Sequence, residues 1–239
     1  MDVIKQPAGR QLAISDVHGC LKTLEVMLDK LAYSSTDQLF VLGDMVDRAP
    51  DSKGVIDLVR SMKQEGYDIH CLRGNHEQMI LDDLEAGQKS VYFSDAAMLR
   101  SFEAKDVSEI PLEYVKWIEE LPYFLQTEGF LLVHAGLDFS VKNPLENLID
   151  MMWLRYWYDS LDPEWLGDRV VVHGHTPLDR PVIEDRLDAL YHFPVLNIDN
   201  GCFFRGEGKG QLCAFDMTNR RLHFQENMDR PFPPGYFDD

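Results

Sequence analysis

The chain has 239 residues, 45% of them hydrophobic, enough to bury a sizeable core within one large α/β domain. Basic residues number 23 against 41 acidic ones, a net charge of -18, so the average surface repels a nucleic-acid backbone or an anionic membrane. No stretch approaches the roughly 20 apolar residues of a membrane span, and residues 1–7 lack the pattern of a secretion signal. A cytoplasmic protein is expected, with no nucleic-acid or membrane partner. Cys20, Cys71, Cys202 and Cys213 show no Cys-x-x-Cys spacing, which argues against a disulfide framework or a zinc knuckle.

Gln11-Leu12-Ala13-Ile14 reads as a short strand, delivering Ser15-Asp16-Val17-His18-Gly19 before a helical pattern of Leu21, Leu24, Met27, Leu28 and Leu31. Asp16 and His18 alternate around Val17, so an extended turn points both to one side. Standing alone, the pair reads slightly better as a helix cap and a solvated loop histidine. Gln38 to Leu42 has the length and composition of a buried strand. It stops at Gly43 and releases Asp44, Asp47 and Arg48 at a strand end, where open α/β sheets place their sites. Asp44 is suited to sharing its oxygens between two cations, although the hexapeptide alone is as readily a polar loop.

Asp51 or Ser52 is placed to cap a helix through Val55, Ile56, Leu58, Val59 and Met62, closed by Gly66. Tyr67 to Leu72 is the third strand and empties into Arg73-Gly74-Asn75-His76-Glu77, with His70 a core or edge histidine. Such a β-α-β-α-β run predicts a mainly parallel sheet. Residues 78–121 read as a mostly helical insertion, with 88–106 a surface segment near the site. Pro111 starts a helix whose apolar face is Leu112, Val115, Ile118 and Leu121, and Tyr92, Phe93 and Trp117 read as core aromatics.

Tyr123 to Gln126 and Phe130 to Val133 flank Thr127-Glu128-Gly129 as a hairpin that ends on His134-Ala135-Gly136. A short helix follows Pro144. The aromatic stretch from Met151 to Tyr158 contains Arg155, either a stacked structural cation or an anion ligand. Val170 to Val172 ends at His173-Gly174-His175. The tail alternates as an antiparallel sheet would, in Val195 to Ile198, Gln211 to Phe215 and Arg221 to Phe224, with Asp229 to Asp239 a loose terminus. Two packed mixed β-sheets flanked by helices, in one domain over 1–239, fit this order better than a single doubly wound sheet.

Five strand-like runs therefore end at Asp16/His18, Asp44/Asp47/Arg48, Asn75/His76, His134 and His175, each close to a glycine. The set supplies carboxylate, amide and imidazole but no thiolate, which suits divalent manganese, iron or zinc at a reactive site. Two cations about 3.5–4 Å apart with one shared carboxylate are what a two-metal phosphoester hydrolase needs.

Asp16-x-His18-Gly19, Gly43-Asp44-x-Val46-Asp47-Arg48, Gly74-Asn75-His76-Glu77, His134-Ala135-Gly136 and Gly174-His175-Thr176 together resemble the signature of the calcineurin-like metallophosphoesterases. More closely they are similar to the bacterial and phage form of the phosphoprotein phosphatase branch. The resemblance implies two divalent ions, manganese first, with Asp16 and His18 on one, Asp44 bridging, and Asn75, His134 and His175 completing the other. It implies a hydroxide shared by the ions as nucleophile and His76 as general acid, oriented by Asp47, with Arg48 and Arg155 clamping phosphoryl oxygens. Phosphoserine or phosphothreonine in proteins, or a small phosphoester, is then the expected substrate.

Two departures from the family pattern stand out: Ala49 occupies a usual glycine position, and the substrate-facing tyrosine loop of eukaryotic members is not recognisable. Hydrolases of symmetrical diadenosine tetraphosphate resemble the same fold and share Asp-x-His-Gly-Cys and Gly-His-Thr-Pro. They form the alternative, against which Asp47 argues because they tend to lack that carboxylate. A non-catalytic scaffold on the same fold is the third reading. His173 is extra to the pattern and is expected to support the metal site through a hydrogen bond.

Overall fold

The computed structural model describes residues 3–87, 97–204 and 206–229. Strands β1 (Gln11–Ile14), β2 (Gln38–Val41) and β3 (Asp68–Cys71) alternate with helices α1 (Leu21–Lys30) and α2 (Ser52–Gln64) and pair in parallel. Helices α3 (Asn75–Ala86), α4 (Ala97–Ser101) and α5 (Leu112–Glu119) follow, then the antiparallel pair β4 (Phe124–Thr127) and β5 (Phe130–Val133). After the short helices α6 (Asp150–Trp153) and α7 (Pro163–Leu166) come β6 (Val170–His173), α8 (Arg180–Asp188) and β7 (Val195–Asn197). The hairpin of β8 (Gln211–Asp216) and β9 (Arg221–Glu226) completes the order. One sheet runs β3-β2-β1-β8-β9 and the other β4-β5-β6-β7; each mixes parallel and antiparallel pairs.

Alternation along the strands builds the layers, because successive side chains leave opposite faces of a sheet. Leu12, Ile14, Leu39 and Val41 point outward onto Leu24, Met27, Val55 and Val59 of α1 and α2. Their neighbours Ala13 and Phe40, with Phe215 of β8, point inward onto Phe130, Leu132, Val170 and Val172 of the second sheet. The far face of that sheet, Leu131, Val133 and Val171, is covered by Leu137, Met151, Trp157 and Leu166. Helices α3 to α5 form a further cluster around Ile80, Met98, Phe102 and Ile118, seated on Val46 and Ile56 beside the β2 loop.

Several local expectations change. Asn75, His76 and Glu77 form the first turn of α3 instead of a strand-end loop, because Gly74 in an extended conformation starts the helix and Glu77 accepts its backbone N–H. Leu112 is 64% exposed. At about 100° per residue, the buried set Tyr114, Val115, Ile118 and Leu121 centres on the side away from it. Thr127 pairs with Phe130, leaving Glu128-Gly129 as a two-residue turn. Asp229 is no loose end: its carboxylate accepts from Lys22 N, Thr23 N and Thr23 Oγ1, capping α1, whose own N-cap residue Cys20 offers no side-chain acceptor. Tyr92 and Phe93, residues 88–96 of the expected surface segment and the tail beyond Asp229 lie outside the described residues; the rest of that segment is not all surface, since Met98, Leu99 and Phe102 are buried in the helical cluster.

Asp37 ties the entry of β2 to that of β1. Its Oδ1 accepts from Arg10 N at 2.7 Å and its Oδ2 from Arg10 Nη2 at 2.8 Å. Burial alone would push this carboxyl up, but the Arg10 donors outweigh it and hold the group at about 2 against the usual 3.8. A folded-state pKa below the unfolded value stabilises the fold above the unfolded value, and that contribution is lost as pH falls through the folded one. Asp37→Asn is therefore expected to cost about 1–3 kcal/mol at neutral pH. The gap from the parent, read from urea midpoints, should close as pH falls from about 4 toward about 2. A constant gap would take the Asp37 charge out of this account.

Candidate metal centre

The loops after β1, β2, β5 and β6 and the start of α3 converge on one point. Their backbones are unusual: Asp16, His18, Asp44, Asp47, Arg48 and His175 all have φ between 48° and 70°. That left-handed region is sparsely populated by residues other than glycine and costs of order 1–3 kcal/mol where it is strained. The loops bear it by interlocking, His18 N donating to Asp44 O at 2.8 Å and Ala49 N to His18 O at 2.9 Å.

Asp44 lies at the centre. Its Oδ1 accepts from His76 N at 3.1 Å, while Oδ2 faces the Nε2 atoms of His134 at 3.4 Å, His18 at 3.5 Å and His76 at 3.9 Å. His18 Nδ1 meets the Val46 carbonyl at 3.0 Å and His134 Nδ1 the Leu42 carbonyl at 2.8 Å. A carbonyl only accepts, so each Nδ1 carries a hydrogen and each Nε2 is turned inward. Asn75 Oδ1 stands 3.0 Å from His134 Nε2 and 2.9 Å from His175 Nδ1. Carboxylate oxygen, amide oxygen and imidazole nitrogen thus converge on one point, an arrangement that a cation satisfies once the rings are neutral.

Titration behaviour reports the same demand. Burial disfavours an imidazolium at His134, yet Asp44 and then Asp16 outweigh it and raise the group to about 10. Burial lowers His18 to about 4 and His175 to about 2, keeping both as neutral potential ligands. Asp44 is held well below the carboxylate range: burial opposes ionisation, and the His134 and His76 charges overcome it.

Two groups of ligand atoms are close enough to hold an ion each, His18/Asp44/His76 and Asp44/His134/His175, and Asp44 belongs to both. Asp16 is brought beside them with its carboxylate turned to His175 N, at 3.0 Å from Oδ2. His76 sits at the edge of the first group. Its Nδ1 lies 2.9 Å from Asp47 Oδ2, and although burial works against the charged ring, Asp44 and Asp47 raise it above its ordinary value. Arg48 extends from Asp47, its Nε 3.8 Å from Oδ2. At the opposite end Arg155 donates from Nη1 to Thr176 Oγ1 at 3.2 Å, beside His175. His173 is held apart from the ligands, its Nε2 2.9 Å from Tyr158 Oη.

The calcineurin-like phosphoesterase profile matches residues 9–203, most of the chain and every strand end described above. The chain belongs to the calcineurin-like phosphoesterase family. It is thus a metal-binding hydrolase of phosphoesters, and no described helix is long and apolar enough to cross a membrane. It is 26% identical to the asymmetrical bis(5'-nucleosyl)-tetraphosphatase PrpE of Oceanobacillus iheyensis, over 80% of this chain and 83% of that one. It is 27% identical to the symmetrical bis(5'-nucleosyl)-tetraphosphatase of Haemophilus ducreyi, over 76% and 72%. It is also 27% identical to serine/threonine-protein phosphatase 1 of Salmonella typhimurium, over 81% and 87%. A solved structure described as a candidate diadenosine tetraphosphatase superposes with a TM-score of 0.65 at 20% identity, over 94% of this chain and 98% of that one.

One residue of this phosphoesterase centre was given no role from its sequence position. Glu77 is fully buried. Its two oxygens accept from the N–H groups of Asp44 at 2.8 Å, Met45 at 2.7 Å, Val46 at 3.2 Å and Gly74 at 2.8 Å. It is the tie that sets the Asp44 loop against α3. The capping spacing from Gly74 was the available signal, and it points to a helix start without revealing the second loop. Glycines permit the rest of the approach: a methyl on Gly174 would collide with the Asp16 carboxylate, and one on Gly43 would lie 2.9 Å from His134 Nδ1.

Glu77→Gln keeps the size of the side chain and gives up part of its acceptor capacity. It is expected to fold while lowering Mn2+ affinity by about 10–100-fold, the range for losing a partner behind a metal ligand, as read by calorimetric titration. Unchanged affinity would show that the Asp44 loop is held by other means. Glu77→Ala leaves all four donors unpaired and is expected to lose at least about 3 kcal/mol.

Proposed function

We propose that this protein hydrolyses dinucleoside tetraphosphates, such as diadenosine tetraphosphate, at a two-metal centre. The observation that carries the reading is the placement of two guanidinium groups, Arg48 beside Asp47 and Arg155 beside His175, at opposite ends of one row of ligands. Two such forks can engage phosphoryl oxygens at both ends of the row, as a linear polyphosphate presents them. Likeness over most of the chain to two tetraphosphatases of opposite cleavage pattern supports the same choice.

In this proposal Asp16, His18 and Asp44 hold one divalent ion, and Asp44, Asn75, His134 and His175 the other, manganese being the first expectation and iron or zinc the alternatives. Bound there, the ions supply charge against the phosphoryl oxygens and an attacking water of lowered pKa. Asp47 fixes the His76 ring through Nδ1, so the Nε2 proton is presented to the centre for transfer to the leaving oxygen. Arg48 and Arg155 orient the chain of phosphates.

A second reading, a phosphoserine or phosphothreonine phosphatase, is favoured by the His76–Asp47 contact itself. An alkoxide is a poor leaving group and needs a proton more than a nucleoside phosphate does. The Salmonella phosphatase likeness supports this reading too. The complete set of acid, amide and imidazole groups speaks against a non-catalytic scaffold.

The test is turnover by metal-stripped protein with manganese restored, on diadenosine tetraphosphate and on a phosphothreonine peptide in parallel. The expected result is manganese-dependent nucleotide release, with kcat/KM at least about tenfold above the peptide; a peptide preference of that size would replace the proposal with the phosphatase reading. His76→Asn is expected to cost about 10²–10⁴ in turnover on the peptide, the range for a general acid, and less on the dinucleotide. Turnover by the variant equal to the parent's on the peptide would remove His76 from proton transfer.

A further inference from the structure

Beyond the ligands, the wall of the site is aromatic. The Phe203 ring meets the His18 ring edge-on at a centroid distance of 4.8 Å, and Phe204 packs against Phe203 at 4.3 Å with an interplanar angle of 31°. The pair is therefore a step leading out from the metal-ligand row. Phe203 is buried, whereas Phe204 is 40% exposed on a rim where an apolar ring finds no core.

Its position is built. Gly201 at φ 64° turns the chain after β7, and a methyl there would lie 2.6 Å from Phe204 Cδ2 and 3.2 Å from Pro177 Cβ. Phe204 and Pro177, in the turn that follows His175, thus both close on Gly201. Cations border the step: the Arg48 guanidinium lies 5.4 Å from the Phe203 centroid, and Lys209 Nζ lies 5.9 Å from that of Phe204.

We propose that Phe204 is the stacking platform for a nucleobase of the substrate, with Arg48 and Lys209 receiving the phosphates that join the base to the metal row. The inference rests on the dinucleotide reading above and names the group that would give it selectivity. A base offers a π-face of any sequence to an aromatic ring, and a phosphopeptide lacking aromatic residues offers none. The ring separates the two substrate classes without touching phosphorus.

Two measurements decide it. The first is the ratio of kcat/KM for diadenosine tetraphosphate to that for a non-aromatic phosphothreonine peptide, in the parent, Phe204→Ala and Phe204→Trp. Phe204→Ala is expected to lower the ratio about tenfold, within the range for removing one stacked aromatic, and Phe204→Trp to restore it. An unchanged ratio in Phe204→Ala overturns the platform. The second is saturation transfer from protein to the H2 and H8 protons of AMP. It is expected to be strong in the parent and in Phe204→Trp and to fall at least about threefold in Phe204→Ala. Should the parent hydrolyse only the peptide, the dinucleotide reading fails, and the platform stands or falls on the AMP signal alone. Absence of that signal in the parent, or its persistence in Phe204→Ala, overturns it.

Discussion

The whole centre depends on one carboxylate oxygen, Asp44 Oδ2, around which three imidazole nitrogens gather within 3.9 Å. The first sheet and its loops bring Asp16, His18 and Asp44, and the second brings His134 and His175. The ligand row therefore exists only while the two sheets are stacked in register. Phe40 and Phe215 on one inner face, and Phe130 and Leu132 on the other, hold that register. Packing between sheets and ligand geometry are in this sense a single constraint. A cavity in the inner core displaces one half of the centre relative to the other before it exposes any ligand.

Converging acceptors repel one another, and strained loops release their strain when they can. Both costs fall on the same residues, Asp16, His18, Asp44 and His175, whose backbones are left-handed. Three devices offset them. Glu77 draws the N–H groups of the Asp44 loop onto one buried carboxylate; the β1 and β2 loops exchange backbone hydrogen bonds; and glycines at 43, 74 and 174 let the chains approach more closely than any side chain would allow. Burial pushes the Glu77 carboxyl up, next the Asp44 charge does so, and the donated N–H groups work in the opposite direction. Its role is to be an acceptor for these N–H groups.

Much of this was legible in the sequence, for identifiable reasons. Continuous apolar runs at Leu12, Ala13 and Ile14 and at Leu39, Phe40 and Val41 specify strands with two covered faces, and glycine after each strand marks where the chain turns. The layered architecture and the family followed from those signals together with the order of the motifs. Backbone conformation at Asp44 and His175 was not legible, because nothing in an aspartate or a histidine signals positive φ as a glycine does. The start of α3 was hidden by Arg73-Gly74, which reads as loop. Leu112 misled because periodicity of apolar residues counted it onto a face that Tyr114 occupies. Glu77 and Asp229 act on segments far away in the chain, and local pattern carries no information about such partners.

Relatives named for tetraphosphatase and for protein phosphatase activity match this chain at similar identity over similar lengths. A shared ligand row is compatible with both chemistries, since the attack at phosphorus is the same and the substrates differ in what leaves and in what surrounds it. The metal row therefore cannot be what selects the substrate. Selection has to reside in groups that meet the remainder of the molecule: the proton on His76, which matters in proportion to the basicity of the leaving oxygen, and the cations and rings along the rim. In this chain the rim offers guanidinium at both ends of the row, and one of them lies over Phe203, against which the exposed Phe204 ring packs. In the proposed reading those features receive a long anion ending in a flat base.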